Sequence, residues 1–195
     1  MSVEINREKL FEIAKSSILQ ELLDSNISKP HYLNDSKKAT FVTLMIDGNL
    51  RGCVGSIVPV NKLSDDIWKN SKNAAFNDPR FEPLSLKEIK EAKELTVEIS
   101  ILTQPKQLIV SSCNDLLSYL DKNKPGLIMN KDDYFQSTFL PDVWSQLPDS
   151  RSFLDHLAQK AGYNSKQFWQ ENPLSWTYYE YYTVNKTMKW DEIII

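Results

Sequence analysis

The sequence predicts an α+β protein of mostly antiparallel strands with helices, and three observations carry that prediction. Apolar residues recur at helical spacing in some stretches and alternate strictly in others. A strong turn, Asp47-Gly48-Asn49, joins two β-like runs early in the chain, as a hairpin does. No Gly-x-Gly-x-x-Gly opens a helix, which removes a dinucleotide-binding parallel sheet.

The elements follow in order. Asn6-Arg7-Glu8-Lys9 reads as a helix start, and Leu10, Ile13, Ala14, Ile18 and Leu22 keep helical spacing to about residue 23. Residues 25–38 read as a loop. Residues 39–46 and 50–58 are the hairpin strands, the second ended by Pro59, which has no N–H for a ladder. A helix over 62–76 stops at Asn77-Asp78-Pro79. Ser85-Leu86-Lys87-Glu88 fits a capping box for a short helix. In residues 95–102, Leu95, Val97, Ile99 and Ile101 share one face, and Thr96, Glu98 and Ser100 share the other.

The second half repeats the mixture. Residues 115–120 read as helix, 126–129 as a short strand and 130–133 as a polar turn. Pro141 suits the first turn of a helix carrying Val143 and Trp144. Asp149 or Ser150 caps another helix, with Phe153, Leu157 and Ala161 on one stripe and Gly162 at its end. Residues 175–184 form one aromatic-rich β run, and 193–195 a final edge strand.

Composition narrows the function classes. A chain of 195 residues, 41% hydrophobic and 25% charged, is long and apolar enough to bury a core. It is expected to form a single domain over 1–195, with an N-terminal helix over about 4–24 packed on it. The net charge of −3 disfavours a general polyanion binder, so nucleic acid is not an expected partner. No apolar run approaches the roughly 20 residues that span a bilayer. Two cysteines, Cys53 and Cys113, and two histidines, His31 and His156, give neither a disulfide framework nor a zinc pattern. A cytoplasmic protein without metal or cofactor is therefore expected.

The segment Leu50-Arg51-Gly52-Cys53-Val54-Gly55 is the first candidate locus. Two of the five glycines, Gly52 and Gly55, flank Cys53 within one strand. Glycine inside a strand marks a bulge, a bend or a close approach by a backbone or ligand. Arg51 and Cys53 share a face only where no bulge intervenes. A thiol with a pKa near 8.5 is only about 3% thiolate at pH 7. A cation that lowers the pKa by about one pH unit raises this to roughly a quarter. Arg51 and Arg80 are the candidate cations. Two readings of Cys53 stand: an activated nucleophile, or a small buried hydrophobe.

Asn77-Asp78-Pro79-Arg80-Phe81 is the second locus. Arg80 is suited to bidentate recognition of a carboxylate or phosphate, or to a local ion pair with Asp78. Glu98 is either a general base at a cleft or part of a solvated strand face. His156 sits beside its helix's apolar stripe and reads as a surface residue, and Cys113 reads as a loop or cap residue. The C-terminal aromatics read as cross-strand packing rather than a base-stacking platform.

Four segments together resemble a known family. They are Phe41-Val42-Thr43-Leu44 leading into Leu50-Arg51-Gly52-Cys53-Val54-Gly55; Ala74-Ala75-Phe76-Asn77-Asp78-Pro79-Arg80-Phe81; Glu98-Ile99-Ser100-Ile101-Leu102-Thr103; and Thr138-Phe139-Leu140-Pro141-Asp142-Val143-Trp144, with Phe153-Leu154 through Lys160-Ala161-Gly162. On these the chain resembles the AMMECR domain family, also known in prokaryotes as the A component of the AmmeMemoRadiSam set. The resemblance implies two interlocked lobes forming a cleft, with the arginine–glycine–cysteine motif near it. It also implies Memo-like and radical-SAM proteins as partners, in a pathway that modifies a protein or an RNA.

Two rival functions follow. In the first, Cys53 is a nucleophile or covalent carrier, Arg51 and Arg80 hold an anionic group, and Asp78 or Glu98 handles protons. In the second, a non-catalytic module holds a small anionic ligand or partner peptide through Arg51, Gly52, Gly55, Asp78 and Arg80. The chain departs from the family pattern at Leu157-Ala158, where a cysteine often stands second, and in Asp132-Asp133-Tyr134-Phe135-Gln136, which lacks an expected arginine.

Overall fold

A computed structural model describes residues 6–32, 35–131, 135–170 and 172–195. In chain order the elements are α1 (Arg7–Leu22), β1 (Thr40–Ile46), β2 (Asn49–Gly55), α2 (Leu63–Phe76), α3 (Leu86–Glu91) and β3 (Leu95–Leu102). Then come β4 (Lys106–Leu108), α4 (Cys113–Asn123), β5 (Gly126–Lys131), β6 (Phe135–Phe139), α5 (Ser150–Lys160), α6 (Ser165–Gln170), β7 (Thr177–Tyr181) and β8 (Thr183–Lys189). The predicted α+β class holds: helices are interspersed with two four-stranded sheets, each in its own unit.

The first unit comprises the described residues up to Leu102 together with Val184–Ile195. Its sheet runs β2-β1-β3-β8, with β1 antiparallel to both β2 and β3. One face carries Val42, Leu44, Val97 and Ile99, all fully buried against Leu10 and Ile13 of α1 and Ile67 and Ala74 of α2. Asn6 caps α1 by accepting the Lys9 N–H at 3.0 Å. The hairpin turn holds Asp47 at φ 51° and Gly48 at φ 79°, the left-handed pair a tight two-residue turn requires.

The second unit, Thr103–Thr183, has the sheet order β4-β7-β5-β6. Its core gathers Leu127 and Met129 from β5, Phe153 and Leu157 from α5, and Trp144 and Tyr178. Trp144 lies face to face with Phe153, ring centroids 3.8 Å apart, and gives its indole N–H to the Pro125 carbonyl at 2.7 Å. Asp149 is the cap of α5, accepting the Ser152 N–H at 2.9 Å, and Gly162 ends that helix at φ 81°. Of the expected polar turn at 130–133, Asn130 and Lys131 continue β5, and residues 132 and 133 lie outside the described residues.

Several expected elements differ. The second hairpin strand ends at Gly55 rather than Val58; the Ser56 N–H makes a last bond to the Thr40 carbonyl at 2.9 Å, and its hydroxyl donates to Asp66 of α2 at 2.7 Å. The aromatic run 175–184 is not one strand but two, β7 and β8, in different sheets. Tyr182 is the break: its N–H and C=O are both taken by Thr103. Residues 193–195 form no strand; β8 is the edge, and Lys15 donates to the carbonyls of Trp190 and Ile193 at 3.0 and 2.9 Å. The segment after Pro141 is a 3-10 turn, Pro141–Ser145, rather than an α-helix. β4, β6 and α6 carry no clear periodicity and were not anticipated.

Candidate functional site

Cys53 lies on β2, the edge strand of the first sheet. A two-residue turn with unbroken pairing would set Thr43 opposite Gly52 and turn Cys53 toward the helices. A β-bulge prevents this. Leu44 pairs with Gly52 and Met45 with Leu50, so Arg51 is the extra residue. The one-residue slip moves Cys53 opposite Thr43, onto the face away from α1 and α2. Thr43 in turn pairs with Glu98 of β3, and the Thr187 hydroxyl of β8 donates to Glu98 Oε2 at 3.3 Å. Cys53, Thr43, Glu98 and Thr187 therefore form one row across all four strands.

The main chain of Cys53 is clamped from outside the sheet. Its N–H donates to Asp78 Oδ2 at 2.9 Å, and its C=O accepts from Arg80 Nη2 at 3.3 Å. Both groups point away from β1, so Thr43 and Cys53 are a non-hydrogen-bonded pair, the kind whose side chains stand closest. Accordingly the Thr43 hydroxyl donates to Cys53 Sγ at 3.3 Å.

Asp78 is buried, with a side chain only 3% exposed, whereas Arg80 is half exposed at 53%. Arg80 donates to Asp78 through Nε at 2.9 Å, Nη2 at 2.7 Å and its backbone N–H at 3.1 Å. These bonds, with the Cys53 N–H, hold the Asp78 carboxyl far below the usual carboxylate range, and the pair raises Arg80 above its ordinary value. Asp78 therefore stays anionic, with both oxygens committed. It clamps the Cys53 main chain and anchors Arg80.

Arg51 does not share the Cys53 row. Its guanidinium donates to Glu88 at 2.5 and 3.0 Å and to the Glu82 carbonyl at 2.7 Å, and it packs against the Phe81 ring. The Arg51 pair lowers the Glu88 carboxyl below its ordinary value. Ser85 makes half of the predicted capping box, accepting the Glu88 N–H at 3.1 Å, while the Glu88 carboxylate goes to Arg51. Arg80 lies against the same Phe81 ring at 5.5 Å, so Phe81 ties the two arginines together.

The glycines have packing reasons. A Cβ at Gly52 would stand 2.0 Å from the carbonyl oxygen of Ala74, so glycine lets β2 lie directly against α2. At Gly55 the space is taken by the Phe41 ring, 2.3 Å from a Cβ. Among the described residues no helix is long and apolar enough to cross a membrane.

A family model, AMMECR1, matches residues 7–184, across both units. The chain belongs to the AMMECR1 family. Its relatives include a protein of Methanosarcina barkeri, 33% identical over 170 residues that cover 83% of this chain and 82% of that protein. Another, from Methanothermobacter thermautotrophicus, is 35% identical over 158 residues, covering 78% and 80%. The crystal structure of an uncharacterized protein from Pyrococcus horikoshii superposes with a TM-score of 0.79 at 26% identity, covering 93% of this chain and 90% of that one.

Within this AMMECR1-family chain, residues of the second and third resemblance segments adjoin the first: Asp78 and Arg80 clamp Cys53, and Glu98 shares its row. Ala158 is fully buried in the second unit's core. His156 is exposed and its Nδ1 lies 2.8 Å from the Ser152 carbonyl; Cys113 opens α4 behind its cap, Ser112. Of the C-terminal aromatics, Trp176, Tyr178 and Tyr181 are buried and Tyr182 is exposed. Thr43 and Glu88 belong to the site beyond the residues that the sequence marks. Glu88 is visible in the sequence only as a capping residue, and Thr43 only within the first hairpin strand and the first resemblance segment.

Proposed function

We propose that this chain is an accessory or enzymatic component of a protein- or RNA-modification pathway, acting in the cytoplasm with Memo-like and radical-SAM partners, with Cys53 as nucleophile or covalent carrier. The observation that carries this reading is the row on the first sheet: thiol, hydroxyl and carboxylate in register, with the thiol's main chain locked by an ion pair. Rigid placement of a reacting atom is what a nucleophile requires. Arg80 stands within electrostatic reach of the thiol and favours its anion. Its half-exposed edge is also the cation offered to an anionic substrate group, whereas Arg51 is spent on Glu88 and acts at one remove.

Glu98 lies two strands from Cys53, about 10 Å between backbones at ordinary strand spacing. It serves a substrate laid along the row rather than the thiol directly. In the step, sulfur's electron pair forms a bond to an electrophilic carbon of the substrate. The thiol's proton passes to solvent as the anion forms; the leaving group departs with its own bonding pair and takes up a proton from solvent, through Glu98 where the substrate brings the two together.

Cys53 and Cys113 are both half-buried, which makes Cys113 an internal reference. In the native protein, a thiol probe is expected to label Cys53 at least several-fold faster than Cys113 at pH 7, read by peptide mass spectrometry. Equal, slow labelling of both overturns the nucleophile. A Cys53→Ser protein that keeps full pathway function points instead to a binding module.

A further inference from the structure

We propose that Thr43 is a positioning residue for the Cys53 thiol, its hydroxyl donating to Sγ and holding the sulfur, in its charged form, on the face of the first sheet away from α1 and α2, toward Glu98. This rests on the reading of Cys53 as a nucleophile and deepens it. Three observations meet at Thr43. It is the cross-strand partner of Cys53 on one side and of Glu98 on the other. Its hydroxyl donates to Sγ at 3.3 Å, within reach of a sulfur acceptor. The Asp78 and Arg80 bonds to the Cys53 main chain put this pair in the close-standing class, so the contact is set by the backbone and not by chance rotamers.

The chemistry follows from what each neighbour offers. A hydroxyl donor stabilises a thiolate more than a thiol, since only the anion accepts strongly. The charged groups facing Cys53 are Arg80 and Asp78 from the loop after α2 and Glu98 across β1 in the row; Arg51, on its own strand, is turned to Glu88. Arg80's charge is largely matched by Asp78, and Glu98 opposes a thiolate. The neutral hydroxyl of Thr43 is a direct donor that favours the anion without adding a charge. A β-branched residue is also the right choice for rigidity, because χ1 is restricted in a strand.

The test uses the full chain with Cys113→Ser, so that one thiol remains. Alkylation by iodoacetamide forms one carbon–sulfur bond, expels iodide and releases the thiol proton to buffer. Its rate against pH reports the thiolate. Thr43→Val keeps shape and branching and removes the donor. The expected result is a rate–pH midpoint higher by about one pH unit and a labelling rate at pH 7 about three-fold to four-fold lower, the thiolate loss being partly offset by higher intrinsic nucleophilicity. Thr43→Ser is expected to restore the wild-type midpoint, which a purely packing role does not predict.

A wild-type midpoint no lower than an ordinary thiol's overturns the nucleophile reading itself. A depressed wild-type midpoint unchanged in Thr43→Val overturns the role given to Thr43 alone. Circular dichroism verifies that each variant is folded. If Thr43→Val does not fold, Thr43→Ala carries the same comparison, and its midpoint must rise for the proposal to stand.

Discussion

Gly52→Ala is expected to lower stability by about 3 kcal/mol, the upper range for forcing atoms into a packed site. The added Cβ would sit 2.0 Å from the Ala74 oxygen and 3.0 Å from its carbonyl carbon. Both are helix backbone, with no flexible end to move aside, so β2 must lift from α2 or the helix must bend. For a chain of this size the melting temperature should fall by roughly 6–12 °C. Thermal unfolding followed by circular dichroism measures it. A drop of under 1 °C would mean that the strand and helix separate easily and that Gly52 is there for another reason.

Asp78→Asn should cost about 2–3 kcal/mol at pH 7, since removing one partner leaves the other groups unmatched. Asparagine keeps the shape, yet one of its two terminal atoms becomes a donor facing the donors Cys53 N–H and Arg80. The loss should depend on pH in a defined direction. The folded Asp78 carboxyl is depressed, whereas in the unfolded chain it titrates near 3.9. Below about pH 4 the unfolded chain takes up a proton that the folded one refuses, so stability falls as pH falls. The contribution is complete above that range and fades on acidification toward the folded value. The gap between wild type and variant, from urea titrations, should therefore be widest at pH 6–7 and narrow below pH 4. A constant gap across that interval would show that the carboxylate's charge is not what matters.

Much of the fold was legible because the patterns were local. Leu95, Val97, Ile99 and Ile101 alternate without interruption, and β3 has the expected bounds. Asn6, Ser85 and Asp149 cap helices as their types require. What failed was long-range. Tyr178 and Tyr181 are both buried though they stand three apart on one uninterrupted strand, β7, so no alternation marks it, and the break at Tyr182 is made by Thr103, far away in sequence. β4 and α6 are too short for periodicity to register.

The site was half legible for the same reason. Two glycines around Cys53 marked the place, and the ion pair of Asp78 with Arg80 was foreseen as one of two alternatives. The face on which the thiol lies was not readable. It depends on one bulged residue, Arg51, and a hairpin counted from its turn without that bulge sends Cys53 to the helical side. Arg51 and Glu88 stand 37 positions apart, and nothing local announces that they will meet.

The clamp on Cys53 has a consequence for how this chain behaves among copies of itself. An edge strand with free N–H and C=O groups is a template onto which another chain can add. At Cys53 both outward groups are already occupied, by a carboxylate and a guanidinium that no incoming strand can displace without uncovering a charge. The pair therefore acts as a stopper on the sheet. It keeps that stretch of edge from growing into an intermolecular ribbon and leaves the thiol's strand unburied by its own kind.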